Sequence, residues 1–326
     1  MGRQVEVPER TPKTDKSDPR RFRVGVEMMG PFEGMTWAES ARELESLGYS
    51  TMFAPDHLDE GYGPITAMAT AMMATERLHV ATAVFGIDFR NPAVLARELA
   101  SIDQISEGRL EVGLGAGYEV NDYRGAGVKM DSPKVRVDRL IEHVAVLRGL
   151  FAEGVFNFDG EHYTVTELDG TPAPYTPGGP PILVAGGGKR MLRFAAQHAD
   201  IVGVNPSLPS SEERAEPNKD AAAERIDEKF ALIREAAGSR FDDLVFHGWL
   251  KFAHVTDDTR GIAEGIAAAT GVGVDQILGT PFVLVGSVEE IVERVQERRE
   301  RWGYSYYTIQ QPVAHEFAPV LERLAG

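Results

Sequence analysis

From Phe22 onward the chain alternates short apolar runs with longer stretches in which apolar residues recur every three or four positions. The first pattern is that of buried strands and the second that of helices packed on them, so their alternation predicts βα units on a parallel sheet. The expected strands are FRVGVEM (22–28), STMFA (50–54), HVATAV (79–84), RLEVGLG (109–115), PILVA (181–185), DIVGV (200–204), LVFHGWLKFAHV (244–255) and YSYYTIQ (304–310). Helix boundaries stand between them. Thr36 and Glu39 make a capping box with Gly48 past the end; Asn91–Pro92 opens a helix that stops by Gly108, and Ser132–Pro133 one that stops by Gly154; Ser287 and Glu290 make a second box closed by Gly303. In the helix from 133 to about 152, Val137, Leu140, Ile141, Val144, Leu147 and Phe151 share one face, which predicts that the opposite face meets solvent.

Eight strands, none polar enough for an exposed edge, fit a closed (β/α)8 TIM barrel of the α/β class; an open doubly wound sheet is the alternative. Residues 22–326 are expected to form this one barrel, with loop insertions at about 157–179 and 206–220, and residues 1–21, polar and proline-dotted, a flexible tail. Composition narrows the function. Thirty-four basic and fifty acidic side chains give a net charge of −16, which repels nucleic acid and anionic membrane, so an anionic ligand needs a local basic pocket. No apolar run reaches the ~18 residues of a membrane span. With no cysteine in the chain, disulfides, thiolate metal sites and cysteine nucleophiles are excluded. The N-terminus has no apolar signal core, so a cytoplasmic protein is expected.

Barrel active sites gather at the carboxyl ends of the strands. After the fifth strand comes AGGGKR, where Ala185, Gly186, Gly187 and Gly188 expose backbone, and a helix opening near Lys189 and Arg190 adds a dipole and two cations. Glycines free to take positive φ beside a helix N-terminus predict an anion cradle suited to a phosphate; a tight turn with surface cations is the alternative. GLGAG (113–117) lacks the dinucleotide spacing; Gly115, Ala116 and Gly117 either let a planar ring lie on the strand end or let strands pack closely. Asp56 and His57 follow the second strand, where His57 can move a proton near neutral pH, unless Asp56 is a cap and His57 a loop residue. Glu27, Phe85, Asp88 and Trp249 stand at or near other strand ends as candidates for a substrate pocket, with ordinary packing as the alternative for the aromatic pair. His79, His143, His162 and His198 offer no metal-ligand spacing with carboxylates, so no metal is expected.

GYSTMFAPDHL (48–58), DFRNPAVLARELASIDQISEGRLEVGLGAGY (88–118), VRVDRLIEHVAVLRGLF (135–151), AGGGKRML (185–192), ADIVGV (199–204) and the closing VGSVEEIVERVQERRERWGYSYY together resemble the bacterial luciferase-like monooxygenase superfamily. They are most similar to its branch that uses the deazaflavin coenzyme F420. The resemblance implies a homodimeric (β/α)8 barrel with the cofactor ring over the strand ends and its phosphate on Gly186–Gly188 and Lys189. It also implies a non-prolyl cis peptide at Ala83–Val84 bulging toward the ring, and the acid–histidine pair Asp56 and His57 beside it. The acid that relatives carry after the fourth-strand glycines is replaced by Tyr118, followed by Glu119, as possible proton-transfer partners. The implied activity is hydride transfer between F420 and a small organic substrate, with the cofactor re-reduced or reoxidised by a separate enzyme. Basic residues for a sugar phosphate on late strands have no counterpart. The alternatives are an FMN-dependent two-component monooxygenase fed by a separate reductase, and a non-catalytic flavin-binding barrel.

Overall fold

The computed structural model describes residues 5–8, 21–207 and 219–325. Eight strands form its centre: β1 (Arg23–Glu27), β2 (Thr51–Ala54), β3 (His79–Thr82), β4 (Leu110–Gly115), β5 (Ile182–Gly186), β6 (Ile201–Val204), β7 (Val245–Trp249) and β8 (Tyr304–Gln310). All neighbours run parallel in the order β3-β2-β1-β8-β7-β6-β5-β4, and the ring closes where β3 meets β4 at Val80↔Leu110 and Ala81↔Glu111. This is a closed TIM barrel. Around it lie α1 (Trp37–Ser46), α2 (Pro64–Ala74), α3 (Pro92–Ile105), α4 (Val120–Ala126), α5 (Pro133–Phe151), α6 (Lys189–His198), α7 (Ala223–Ala237), α8 (Thr259–Thr270), α9 (Val274–Gly279), α10 (Val288–Trp302) and α11 (Ala314–Ala325). Both expected capping boxes are present, at Thr36/Glu39 and Ser287/Glu290.

The strand period of two sorts each strand into an outer and an inner row. Val24 and Val26 of β1 and Leu110, Val112 and Leu114 of β4 join the large core under the helices. Arg23, Gly25 and Glu27, and Glu111, Gly113 and Gly115, alternate with them and line the barrel axis. Phe53, Ala81, Leu183, Ile201 and Tyr306 fill the middle of the barrel as a separate apolar cluster. Beneath them Arg23 pairs with Glu111, lies 4.0 Å over the Tyr306 ring, and is joined by the Tyr306 hydroxyl bonded to Thr51 Oγ1 at 2.7 Å.

Burial alone would raise the Glu111 carboxyl, but the Arg23 guanidinium and His79 outweigh it and hold it at about 2, against an ordinary 4.5. A carboxylate with a depressed folded-state pKa contributes stability that is fully present above the unfolded value. It is lost as pH falls from about 4.5 toward about 2. A shift of this size is worth roughly 3 kcal/mol. Urea midpoints of the native chain are therefore expected to fall across that window, and Glu111→Gln to flatten the fall; an equally steep fall in the variant would show that other carboxylates carry it.

Three expectations are corrected. The run 244–255 is not one strand. It leaves the barrel after Trp249, and Phe252–Val255 pairs instead with Val283–Gly286, a strand the pattern did not reveal, in a small parallel sheet. Leu250 N–H still bonds Thr308 O at 2.8 Å, but Lys251 N–H has already turned to Phe282 O at 2.8 Å. A twelve-residue strand would overrun its β6 and β8 neighbours, so the chain changes partner at the barrel rim. The far face of α5 is not solvated either: from Leu140 to Phe151 only Ile141 escapes full burial. The first insertion folds into an antiparallel hairpin, Val155–Asp159 with Thr164–Asp169, that covers it. The Glu142 carboxylate accepts the N–H groups of Glu161, His162 and Tyr163 at 2.7–3.0 Å, and Phe156 occupies the space left by Gly149. Residues 1–4 and 9–20 of the expected tail and 208–218 of the second insertion lie outside the described residues, while Val7 is buried in the main core. Among the described residues no helix is long and apolar enough to cross a membrane.

Candidate active site

At the carboxyl mouth of the barrel β1 ends on Glu27, whose Oε2 accepts the Trp249 indole N–H from β7 at 3.0 Å. Burial raises the Glu27 carboxyl above its ordinary range, with the indole bond opposing, and His57 is close enough to act on it. His57 follows β2. Its Nδ1 lies 2.9 Å from Asp122 Oδ2, and the other Asp122 oxygen accepts Leu58 N–H at 2.9 Å, so one buried carboxylate holds both the ring and its backbone. A carboxylate only accepts, which puts the hydrogen on Nδ1 and leaves Nε2 as the basic nitrogen. Tyr118 meets the His57 ring edge-on at 6.0 Å. Glu119 instead caps α4, accepting Asn121 N–H at 3.4 Å, so the acid of this loop that reaches His57 is Asp122 in the first turn of α4.

Asp56 points the other way. Its carboxylate grips Arg90 with both oxygens and accepts Gly86 N–H at 3.0 Å; burial raises its pKa, with the Arg90 pair opposing. This clamp fixes the segment after β3, where the Ala83–Val84 peptide is cis and Phe85–Gly86 continues along β4. Ala83 and Val84 lie half-buried on the inner apolar cluster, as does Ala185. Two expected pocket residues are elsewhere. Phe85 is 1% exposed, inside the main core and under the Arg90 guanidinium. Asp88 is bonded to Tyr123 Oη at 2.8 Å and to Arg139 at 2.6 Å, and Arg139 also holds Asp131 at 2.6 Å. These ion pairs line a cleft of about 490 Å3 together with Arg90, Lys129 and Tyr163.

The glycines of GLGAG serve close packing. A Cβ on Gly113 would stand 1.9 Å from Thr82 O, one on Gly115 would stand 2.4 Å from Val84 Cγ2, and one on Gly117, at φ +74°, would stand 2.0 Å from Tyr123 Oη. Close packing is the reading these contacts support, against β3 at Gly113, against Val84 at Gly115 and against α4 at Gly117. Ala116 contributes its carbonyl, which accepts Arg136 Nε at 3.1 Å.

After β5 the chain leaves the strand at Gly186 and bends at Gly187 and Gly188. None of Gly186, Gly187 and Gly188 has positive φ, contrary to expectation, and Gly188 begins α6 at φ −77° without a side-chain cap. Among the described residues the N–H groups of Gly187, Gly188 and Lys189 have no protein acceptor, so the helix start is open to an anion. Lys189 is exposed and, among the described residues, joins no ion pair. Arg190 is drawn aside to Asp138 and the Lys134 carbonyl of α5, which removes it from the cradle.

Two residues went unnoticed in the sequence. Asp122 lies past the glycine loop, and only a helix turning back over the mouth brings it to His57. Lys229 lies on α7, far from any strand end, yet its ammonium reaches Gly187 O. A lone buried lysine in an amphipathic helix carries no local signal.

A family model described as luciferase-like monooxygenase matches residues 35–306. F420-dependent glucose-6-phosphate dehydrogenase of Gordonia bronchialis is 31% identical over 221 residues, 65% of this chain and 64% of that protein. The enzyme of that name from Amycolatopsis mediterranei is 29% identical over 55% of each chain. The match thus spans less than two thirds of these relatives. In structure, an F420-dependent secondary alcohol dehydrogenase in complex with an F420-acetone adduct superposes at TM-score 0.72 with 18% identity over 93% of this chain and 99% of the other. EDTA monooxygenase of Chelativorans sp. BNC1 superposes at 0.74 with 14% identity over 94% of each. With a family match running from α1 to β8 on a closed parallel barrel, the chain belongs to the luciferase-like monooxygenase family.

Proposed function

We propose that this protein is an F420-dependent oxidoreductase that moves a hydride between the deazaflavin and a small organic substrate at the barrel mouth. The observation that carries the reading is His57 held through Nδ1 by Asp122, with Nε2 left for proton transfer. The named F420 dependence of the relatives supports the cofactor. So does the fit of the site, whose helix start without a side-chain cap and N–H groups at Gly187, Gly188 and Lys189 without an acceptor among the described residues suit a phosphate ester. The small, half-buried side chains of Ala83, Val84 and Ala185 on the inner apolar cluster suit a flat ring.

When bound, F420 supplies a ring carbon that accepts or returns a hydride. In the oxidative direction His57 Nε2 takes the proton that leaves the substrate as its C–H bond gives up the hydride, and in the reductive direction it gives that proton back. Asp122 keeps the ring in the tautomer and orientation this needs. Tyr118 shields the imidazole edge, and Glu27, Trp249 and His57 bound the substrate side. Asp56 acts at one remove, by fixing Gly86 and Arg90 behind the Ala83–Val84 bulge. Arg294 and Arg298 of α10 donate to the carbonyls of Val285 and of Thr280, Pro281 and Val283, which commits them to the backbone there. The reading requires a separate F420-dependent enzyme to regenerate the cofactor, and family resemblance suggests a homodimer.

Titration with each cofactor tests it. The protein is expected to quench F420 fluorescence at roughly micromolar concentration and to leave FMN free in the same range. Tight binding of FMN alone would replace this reading with a two-component monooxygenase.

A further inference from the structure

We propose that Lys229 of α7 is a positioning residue for the anion cradle, one that acts through the backbone of the triple glycine rather than by touching the ligand. This rests on the cradle reading above. The Lys229 ammonium is buried and spends its three donors on Gly187 O at 2.9 Å, Asn205 O at 2.9 Å and Asp220 Oδ2 at 2.6 Å. The same Asp220 oxygen accepts Ser207 N–H at 2.6 Å. Four segments meet on this one cation: the loop after β5, the loop after β6, the turn at Asp220 and α7.

The consequence follows from the planar trans peptide, in which C=O and the next N–H point in opposite directions. Gly187 O is pulled toward Lys229, so Gly188 N–H is turned away from α7. Gly186 O likewise accepts Asn205 N–H at 3.2 Å, so Gly187 N–H is turned the same way. Neither peptide is cis. Two successive donors thus face one side, beside the uncapped start of α6, and together they make the concavity that holds an anion. Glycine at 187 is required for a different reason: a Cβ there would stand 2.2 Å from Ser207 N. Without the ammonium, Gly187 O and Asn205 O lose this donor, and nothing else among the described residues fixes the Gly187–Gly188 peptide plane.

The experiment compares F420 with its phosphate-free deazariboflavin chromophore, using the full chain and fluorescence quenching. The native protein is expected to bind the phosphate-bearing form more tightly. Lys229→Met should cut that preference roughly tenfold, the loss of about one charge-assisted interaction, with affinity for the phosphate-free chromophore and the far-UV circular dichroism unchanged. Lys229→Arg should recover part of the preference, because the guanidinium can again donate to the same oxygens. If Lys229→Met does not fold, Asp220→Asn, which loosens the lysine from a half-exposed partner, should lower the preference in the same sense. An undiminished preference in whichever of these variants folds overturns the role of Lys229 while leaving the cradle standing. A native protein that binds both forms equally overturns the cradle, and the Lys229 assignment with it.

Discussion

Replacing His57 with alanine is expected to lower turnover by roughly 10²- to 10⁴-fold, the range of a general acid–base group, while F420 affinity changes by no more than a few-fold. The split follows from geometry. His57 lies across the mouth from the N–H groups that suit the phosphate, so its loss removes proton transfer and leaves the anion contacts in place. Asp122→Asn should reproduce part of the effect. An asparagine can still accept Leu58 N–H, but its amide would donate to Nδ1, which moves the ring hydrogen to Nε2 and makes that nitrogen a donor instead of a base. A lowered kcat with an altered pH profile and unchanged cofactor binding is the signature. Full turnover in the His57→Ala protein would sink the assignment, whatever Asp122→Asn does.

The largest stability effect is expected from Gly113→Ala. The new methyl would stand 1.9 Å from Thr82 O and 3.1 Å from Val84 Cγ1, both on the segment that leads to the mouth. Thr82 ties the two strands in both directions, its hydroxyl donating to Gly113 O at 2.9 Å and accepting Gly113 N–H at 3.1 Å. Backbone cannot yield as a flexible side chain does, so β3 and β4 must part where the barrel closes. A loss of about 3 kcal/mol or more follows, seen as a Tm lower by on the order of 5–10 °C. Gly265→Ala is the matched control. Its methyl meets nothing within 4 Å on exposed α8, so helix propensity alone should make that variant more stable by about 1 kcal/mol. Equal effects of the two substitutions would show that the contact at Thr82 O is not what matters.

Much of the barrel was legible because its signals are local. Strand and helix periods, Thr36/Glu39, Asn91–Pro92, Ser287/Glu290 and the glycines closing each helix depend on residues a few positions apart, and the structure keeps them. The missed elements have no such signal. Val283–Gly286 is too short to stand out until Phe252–Val255 is seen beside it, and the second face of α5 looks solvated until a hairpin from later in the chain folds over it. Buried charge was equally silent: Arg23 and Glu111 are 88 residues apart and carry no local sign that they pair.

At the site the division is the same. The sequence by itself determined that a histidine stands past β2, a bare glycine segment past β5, and that both belong at one end of a barrel, since strand direction puts every such loop on the same rim. Only the tertiary structure decided which acid serves which group. Asp56, adjacent to His57, turns to Arg90; Asp122, 65 residues away, takes the imidazole; Arg190 leaves for α5; and Lys229 arrives from α7 to hold Gly187. Neighbours in a chain share a backbone but on a strand or loop point to opposite sides, whereas hydrogen bonds and ion pairs require atoms within about 3 Å in space, and that distance is set only when the whole barrel has closed.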